Sequence, residues 1–539
     1  MKDTLYIIYG SRTGNSRSIA ETTQRYIKHV GLESCLLEMK TMDFEIINKL
    51  KYVLLIVSTH GEGDPPAVAM EFYNYMHQEE RENLSGVKFA VLALGDSSYK
   101  DYCKTGKDFE NRLLQLKATK LMPLKECDVD FEETARNWIK DTVGSFHLEI
   151  KGKEVLKQED FSFDFYADAL SMNGDFQVEV KEKRNLCSEE STKKTLHFVL
   201  SSGDAKKAYI PGDSIAVKCT NSRLYVDRLL KELKFDGTHP ISNKGNLELL
   251  KQVLINDYEL SLITPVVLKK YAELIDVETL NNIVGDKTKM EVYCAQHDVL
   301  DMVSDFPANY PPEDLLSVLR KLKPRLYSVA SSSKAHPREL HLTMGVMEYT
   351  LKDRSHIGIT SSYLSNRTEV GERISIHLEN NDSFRLPKDG DTPIILIGSG
   401  TGIAAYRSFI QEREASNAKG DIWLIFGERN SKFDFLYGEE LLNYKKKGLL
   451  TRLDTAFSRD QDEKIYVQHR VKENAKEIFD WLMFKGANIY LCGNKRTMAL
   501  GVRKAMMDLF CSEGKMNELE VRELIKRLKT ERRWQEDVY

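Results

Sequence analysis

The first 145 residues alternate short apolar runs with longer amphipathic segments. Strand-like runs fall at Leu5–Tyr9, Cys35–Met39, Tyr52–Ser58, Phe89–Leu94 and Leu121–Leu124, and helix-length segments such as Ser16–Val30 and Ala67–Glu79 separate them. Apolar strands alternating with helices predict a parallel sheet covered on both faces. From Gly144 to about Asp175 this rhythm stops, and the mixed charge of KGKEVLKQEDFSFDF reads as a linker over 146–175. From Phe176 the pattern turns β-rich, with FQVEVKEK, TLHFVLSS and YIPGDSIAV, then RLYSVASS, HLTMGVMEY and RISIHLE. Strands of this kind predict an antiparallel barrel over 176–388. Helical patterns (YVDRLLKEL, VVLKKYAELI, DLLSVLRKL) interrupt it at 221–322 and read as an insertion. After Pro387, alternation resumes with PIILIG, IAAYRSFIQER, DIWLIFG, LLTRLDTAF and NIYLCG, which predicts a second parallel α/β domain over 389–539.

Composition narrows the classes. At 539 residues the chain exceeds what one core usually supports, so about three to four domains are expected. A net charge of -4 offers no basic field for nucleic acid. Apolar runs such as Tyr52–Val57 and Ile394–Ile397 fall far short of the ~20 residues of a membrane span. MKDTLYIIYG reads as a first strand rather than a signal peptide, so the expected location is the cytoplasm. The eight cysteines show no CxxC pair and no metal-ligand spacing; all but Cys492 read as small buried hydrophobes, and no metal is expected.

Candidate chemistry begins at GSRTGNS, Gly10–Ser16, between a strand and a helix. Hydroxyls at Ser11, Thr13 and Ser16, with the amides of a helix start, suit a phosphate without a lysine. A nucleoside-triphosphate loop is the rival, but GxxxxGK[ST] is absent. In a doubly wound sheet of order 2-1-3-4-5 the ends of strands 1, 3 and 4 meet at one switch point. STHGEGDPP (Ser58–Pro66) and LGDSSYKDYC (Leu94–Cys103) would join the first loop there. Further on, RLYSVASSS (Arg325–Ser333) puts a guanidinium and an aromatic ring on one strand face, a pairing suited to pyrophosphate and a flat ring. GITSSYL (Gly358–Leu364) adds hydroxyls at a helix start. IGSGTGIAAYR (Ile397–Arg407) is a glycine-rich turn after a strand, and SRDQDEKIYVQ (Ser458–Gln468) gathers cations and donors. Such donors suit a 2′-phosphate, whereas an NAD site prefers a carboxylate.

These motifs resemble those of the diflavin reductase family, over nearly the whole chain. The resemblance implies a flavodoxin-like FMN domain (1–145), an FAD-binding barrel with a helical connecting insertion, and a ferredoxin–NADP reductase-like NADPH domain. It places the FMN phosphate on Ser11, Arg12, Thr13, Gly14, Asn15 and Ser16. Ser58, Thr59, His60 and Gly61, with Leu94, Gly95, Asp96, Ser97, Ser98, Tyr99 and Cys103, flank the flavin, Tyr99 stacking on one face. His60 stands where many members carry an aromatic. For FAD it implies Arg325, Leu326, Tyr327 and Ser328, then Gly358, Ile359, Thr360 and Ser361, with Thr343, Met344, Gly345, Tyr349 and Ser261 nearby. For NADPH it implies Gly400, Thr401 and Gly402, then Ser458, Arg459, Lys464, Ile465, Tyr466, Val467 and Gln468. Ala405 replaces a frequent proline. The catalytic group it implies is Ser328, Cys492, Asp537 and Tyr539, with the terminal aromatic over the FAD ring.

Within the family the chain is most similar to the flavoprotein components of assimilatory sulfite reductase, in LTRLDTAFSRDQDEKIYVQ, NNDSFRLP and ERRWQEDVY. That similarity implies electron flow from NADPH through FAD and FMN to the hemoprotein (sirohaem, iron–sulfur) subunit. The alternatives are a reductase for a haem monooxygenase and a catalytically silent binding module.

Overall fold

The computed structural model describes residues 4–11, 14–59, 63–78, 80–95, 101–128, 131–152, 161, 163, 165, 176–201, 209–243, 246–351 and 353–539. The chain forms two compact units, Met1–Gly174 and Asp175–Tyr539.

The first unit runs β1 (Thr4–Gly10), α1 (Asn15–His29), β2 (Glu33–Glu38), β3 (Tyr52–Ser58), α2 (Ala67–Met76), β4 (Lys88–Leu94), α3 (Lys104–Gln115), β5 (Thr119–Lys120), β6 (Lys125–Cys127) and α4 (Glu132–Lys151). Its sheet is parallel in the order β2-β1-β3-β4-β5, with β6 also on β4. Alternate residues of the central strands feed two cores. Leu5, Ile7, Leu54 and Leu92 pack beneath α1 and α4, while Ile8, Val53, Leu55 and Val91 pack beneath α2 and α3. Burial on both faces is why these strands read as unbroken apolar runs.

Two expectations shift here. The fifth strand expected at Leu121–Leu124 is two short pieces flanking those residues, β5 pairing at Lys88↔Thr119 and β6 at Leu92↔Lys125. Pro123 lies between them and has no amide to continue the ladder. The segment expected as a linker from 146 begins inside α4, whose last turns bury Phe146 and His147. Further along, Phe161 and Phe163 each place a ring 5.1 Å from Tyr26, and Phe165 lies 5.9 Å from Phe131. The described part of this stretch therefore packs on the first unit's core.

The second unit opens with β7 (Phe176–Asn185), β8 (Thr195–Ser201) and β9 (Ser214–Val217). An insertion follows: helices from Arg223–Leu233 to Pro312–Val318, with a hairpin of β10 (Pro240–Asn243) and β11 (Asn246–Leu249). The insertion has its own core, including Leu229, Leu254, Leu268, Tyr271 and Val303. The sheet resumes with β12 (Arg325–Ser328) and β13 (Glu339–Gly345). A second hairpin, β14 (Glu348–Leu351) and β15 (Arg354–Ile357), the helix Ile359–Asn366 and β16 (Arg373–Glu379) complete this part. The antiparallel order is β12-β9-β16-β7-β8-β13. Val329 then bridges Leu342, so the two end strands meet and close the sheet on itself around Val178, Phe198, Val217, Leu340 and Ile376.

The remaining residues form a parallel sheet from β17 (Ile394–Ser399), β18 (Ile422–Glu428), β19 (Arg452–Phe457), β20 (Asn488–Gly493) and β21 (Trp534–Val538), in the order β19-β18-β17-β20-β21. Its two faces carry separate cores, one around Ile395, Trp423 and Leu491, the other around Leu396, Leu424 and Tyr406. Among the described residues, no helix is long and apolar enough to cross a membrane.

Phe165 is 3% exposed. Its replacement by alanine should destabilise the first unit by about 3 kcal/mol, the cost of truncating a buried phenylalanine, seen as a lower urea midpoint. An unchanged midpoint would show that this segment does not belong to the core.

Candidate functional site

In the first unit, pairing aligns the carboxyl ends of β1, β3 and β4, with Gly10 opposite Val57 and Ser58 opposite Leu94. Helix α1 leaves Gly14 at φ 82°, a left-handed turn that glycine adopts without strain. The Ser16 amide donates to Ser11 Oγ at 3.2 Å, and Asn15 opens the helix. Ser16 Oγ and Ser58 Oγ are buried and have no hydrogen-bond partner among the described residues. Buried hydroxyls left in this state cost free energy, and a ligand with several oxygens would relieve them. The hydroxyls and amides of the turn between β1 and α1 therefore fit a phosphate, and Ser58 fits a polar atom of the same ligand.

Thr59 and Cys103 have a supporting role at the same end. The Thr59 amide donates to Leu94 O at 2.8 Å, and its hydroxyl accepts from the Thr105 amide at 3.2 Å. A Cβ on Gly95 would stand 2.8 Å from Cys103 N, so the two ends of the Leu94–Cys103 loop touch through backbone. Cys103 is buried and donates to Ala93 O at 3.3 Å; burial pushes its thiol up to about 12. The other residues expected here, Arg12, Thr13, His60, Gly61, Asp96, Ser97, Ser98 and Tyr99, lie outside the described residues.

The second unit brings together a larger set. Arg325 forms an ion pair with Glu259, which also accepts from the Ser261 amide and hydroxyl at 2.9 and 2.7 Å. Tyr327 hydrogen-bonds Thr360, and burial pushes its phenol above the ordinary range. Ser361 Oγ accepts from the Met347 amide, and the Gly358 amide donates to Met347 O, so the helix start and the β14–β15 hairpin are tied. Tyr349 stacks on His356 at 4.9 Å and donates to Gln296 O. Leu326, Met347, Tyr349 and Tyr539 are exposed by 47%, 66%, 37% and 60%. Guanidinium and hydroxyl donors beside exposed apolar groups suit a ligand with a pyrophosphate and a flat ring. Thr343 and Met344, expected at this ligand, are buried on opposite faces of β13. Thr343 bonds the Tyr437 hydroxyl and Met344 lies in the barrel core; Gly345 reaches Thr401, 3.5 Å from where its Cβ would be.

Four distant segments meet at the end of β20. Ser328 Oγ donates to Asp537 Oδ2 at 3.0 Å. Asp537 stands opposite Cys492 in the β20–β21 register, and the Tyr539 amide donates to Gly493 O at 3.1 Å. The Tyr539 hydroxyl shares a hydrogen bond with Thr401 Oγ1 at 2.8 Å. A Cβ on Gly398 or Gly402 would fall 2.6 or 2.3 Å from Cys492 O, so any side chain at these positions would push the glycine-rich turn off the strand.

Beside this group opens a cavity of about 760 Å³. Of the sequence candidates, Gly400, Thr401, Ser458, Tyr466, Val467, Gln468 and Tyr539 line it. Lys193, Glu428, Arg429, Asn494 and Thr497 also line it and were missed, having no motif of their own. The Gln468 side chain packs where a Gly501 Cβ would stand. Gly402 and Ile465 do not line the cavity; Arg459 and Lys464 are exposed and form no ion pair among the described residues.

Three family models match this chain: Flavodoxin over residues 7–138, FAD binding domain over 268–363 and Oxidoreductase NAD-binding domain over 396–504. Full-length similarity decides the family. A sulfite reductase (NADPH) flavoprotein alpha-component from Bacillus subtilis is 36% identical over 99% of this chain and 89% of its own length. One from Photorhabdus laumondii is 35% identical over 100% of this chain and 90% of its own, and one from Vibrio parahaemolyticus 35% over 99% and 86%. The chain belongs to the sulfite reductase (NADPH) flavoprotein alpha-component family.

This member of the sulfite reductase flavoprotein family joins its barrel to its last sheet through buried histidines. His197 Nδ1 meets the Tyr437 hydroxyl at 2.8 Å, and His341 Nδ1 accepts from Arg407 Nη1 at 3.0 Å. Burial and the Arg407 charge pull His197 down from 6.5 to about 2 and His341 to about 4. Both stay neutral when folded and take up a proton near 6.5 when unfolded. Stability should therefore be full above pH 6.5 and fall as pH drops toward 4, by about 1.4 kcal/mol per pH unit per histidine. Denaturant midpoints between pH 7.5 and 4.5 test this: His197→Gln and His341→Gln should each flatten the slope, and an unaltered slope would refute it.

Proposed function

We propose that the chain is an NADPH-dependent oxidoreductase of the diflavin type, supplying the hemoprotein (sirohaem, iron–sulfur) subunit of sulfite reductase with electrons to reduce sulfite to sulfide. FAD and FMN, when bound, supply what side chains lack: conversion of a two-electron hydride from NADPH into single electrons, in the order NADPH, FAD, FMN, haem protein. The observation that carries this reading is the meeting of Ser328, Cys492, Asp537 and Tyr539 beside the glycine-rich cavity.

In this reading the hydroxyls and helix amides of Ser11–Ser16 hold the FMN phosphate. Ser58–Gly61 and Leu94–Tyr99 border its ring, and Cys103 fixes the second of those loops. Arg325 and the helix start at Gly358–Ser361 hold the FAD pyrophosphate, with Tyr327 against the ring. Glu259 keeps the Arg325 guanidinium oriented while that arginine waits for a phosphate. Gly400–Gly402 let the NADPH pyrophosphate approach backbone amides, and Ser458, Arg459, Lys464, Tyr466 and Gln468 receive its 2′-phosphate. The Ser328–Asp537 hydrogen bond fixes the carboxylate that would face a bound nicotinamide, and Tyr539 would lie over the FAD ring.

Reconstitution tests the proposal. The chain, mixed with a sulfite reductase hemoprotein subunit, NADPH and sulfite, should produce sulfide; no sulfide from two individually active components would overturn it. Arg459→Ala combined with Lys464→Ala should raise the KM for NADPH about tenfold and change that for NADH little. Equal losses for both would refute the 2′-phosphate assignment.

A further inference from the structure

The dinucleotide cavity contains a carboxylate where phosphates are expected to lie. Glu428 ends β18, its side chain is 6% exposed, and Oε1 lies 3.4 Å from where a Gly400 Cβ would stand. Its own carbonyl oxygen accepts from the Ser458 amide at 2.9 Å. The carboxylate thus sits between the glycine-rich turn and the segment assigned to the 2′-phosphate. It is also held in place, since Oε2 accepts from the Arg429 amide at 2.8 Å. The only other charged side chains lining this cavity among the described residues are Arg429 and Lys193. Arg429 turns its guanidinium to Thr192 Oγ1, at 3.1 Å. Lys193 forms an ion pair with Glu428 Oε1. It comes from the turn between β7 and β8, where its amide donates to Ser191 Oγ at 3.1 Å and that hydroxyl donates to Asp434.

A carboxylate at the end of the strand that follows the glycine-rich turn is the group that grips the free ribose hydroxyl of NAD. Toward a phosphorylated ribose it is repulsive, and the repulsion grows with ligand charge. NADPH carries about two more negative charges than NADH. We infer that Lys193 is a specificity-determining residue acting through Glu428: it cancels the carboxylate, and so lets the groove admit the phosphorylated dinucleotide. The inference rests on reading this cavity as the NADPH site.

A double-mutant cycle tests it, comparing the holoenzyme with Lys193→Gln, Glu428→Gln and the double variant. The readouts are KM and kcat for NADPH and NADH with ferricyanide as acceptor, and calorimetric binding of 2′,5′-ADP and 5′-AMP. Lys193→Gln should weaken NADPH and 2′,5′-ADP roughly tenfold, with NADH, 5′-AMP and kcat little changed. Glu428→Gln should bind NADPH no more weakly than the parent, and the double variant should match it. Lys193→Arg, which keeps the charge, should keep the preference and guards against a folding defect in the glutamine variant. A double variant as weak as Lys193→Gln would mean that the lysine touches phosphate directly, and the inference would fall. An unchanged NADPH-to-NADH ratio in Lys193→Gln would also overturn it. Failure of the parent protein to bind 2′,5′-ADP would instead remove the NADPH-site reading itself.

Discussion

The last strand enters its sheet parallel to β20, and that pairing fixes every residue near the chain end opposite a specific partner: Trp534 against Ile489, Asp537 against Cys492, Val538 against Gly493. A short edge strand needs more than a ladder to hold its register, and this one has it. Glu536 is buried between Arg503 and the Trp534 ring nitrogen; burial alone would push its carboxyl up, but the hydrogen bonds and charge of Arg503 outweigh it and leave the group below its usual value. Gln535 reaches Arg385 and the Tyr490 hydroxyl on the opposite side. With both faces of the strand held, Asp537 and Tyr539 project where Ser328 and Thr401 can meet them. A slip of one residue would exchange the two faces and dismantle the cluster.

The same site depends on how closely backbone approaches backbone. Gly398 and Gly402 let the turn after β17 lie against the Cys492 carbonyl, at a separation that no Cβ tolerates. Side chains then complete what the backbone begins; most come from the nucleotide-binding sheet and its loops, and the barrel adds two. Ser328 follows from β12, and Lys193 from the turn before β8. The two halves of this unit are therefore coupled through polar contacts at the site itself, as well as through Thr343, His197 and Tyr437.

Much of this was legible in sequence because periodicity and turn chemistry are local. Both parallel sheets follow from apolar runs separated by helix patterns, and the glycine-rich turn announces itself. Pro123 was equally readable as a strand breaker, yet the run Leu121–Leu124 looked apolar enough to hide it. The contacts that were not legible are those made across the fold. Nothing near Glu259 marks it as the partner of Arg325, and nothing near Glu428 points to Lys193, which lies far from it in sequence. Thr343 and Met344 show the limit of motif reading: a motif marks positions, not side-chain directions, and both side chains are buried, one on Tyr437 and the other in the barrel core.

The helical insertion carries a core that shares no residue with the barrel's, and its entrance and exit lie side by side. Asn221 donates to Leu254 O and Tyr258 O, and Tyr258 bridges Lys321 just before the chain re-enters the barrel at β12. A segment that begins and ends at nearly the same place closes a loop whose entropic cost depends only weakly on its length. In evolutionary terms this is a graft point. Helices can be gained, lost or exchanged within this insertion without moving β9 or β12, as long as Glu259, which lies inside it, stays in place to hold Arg325.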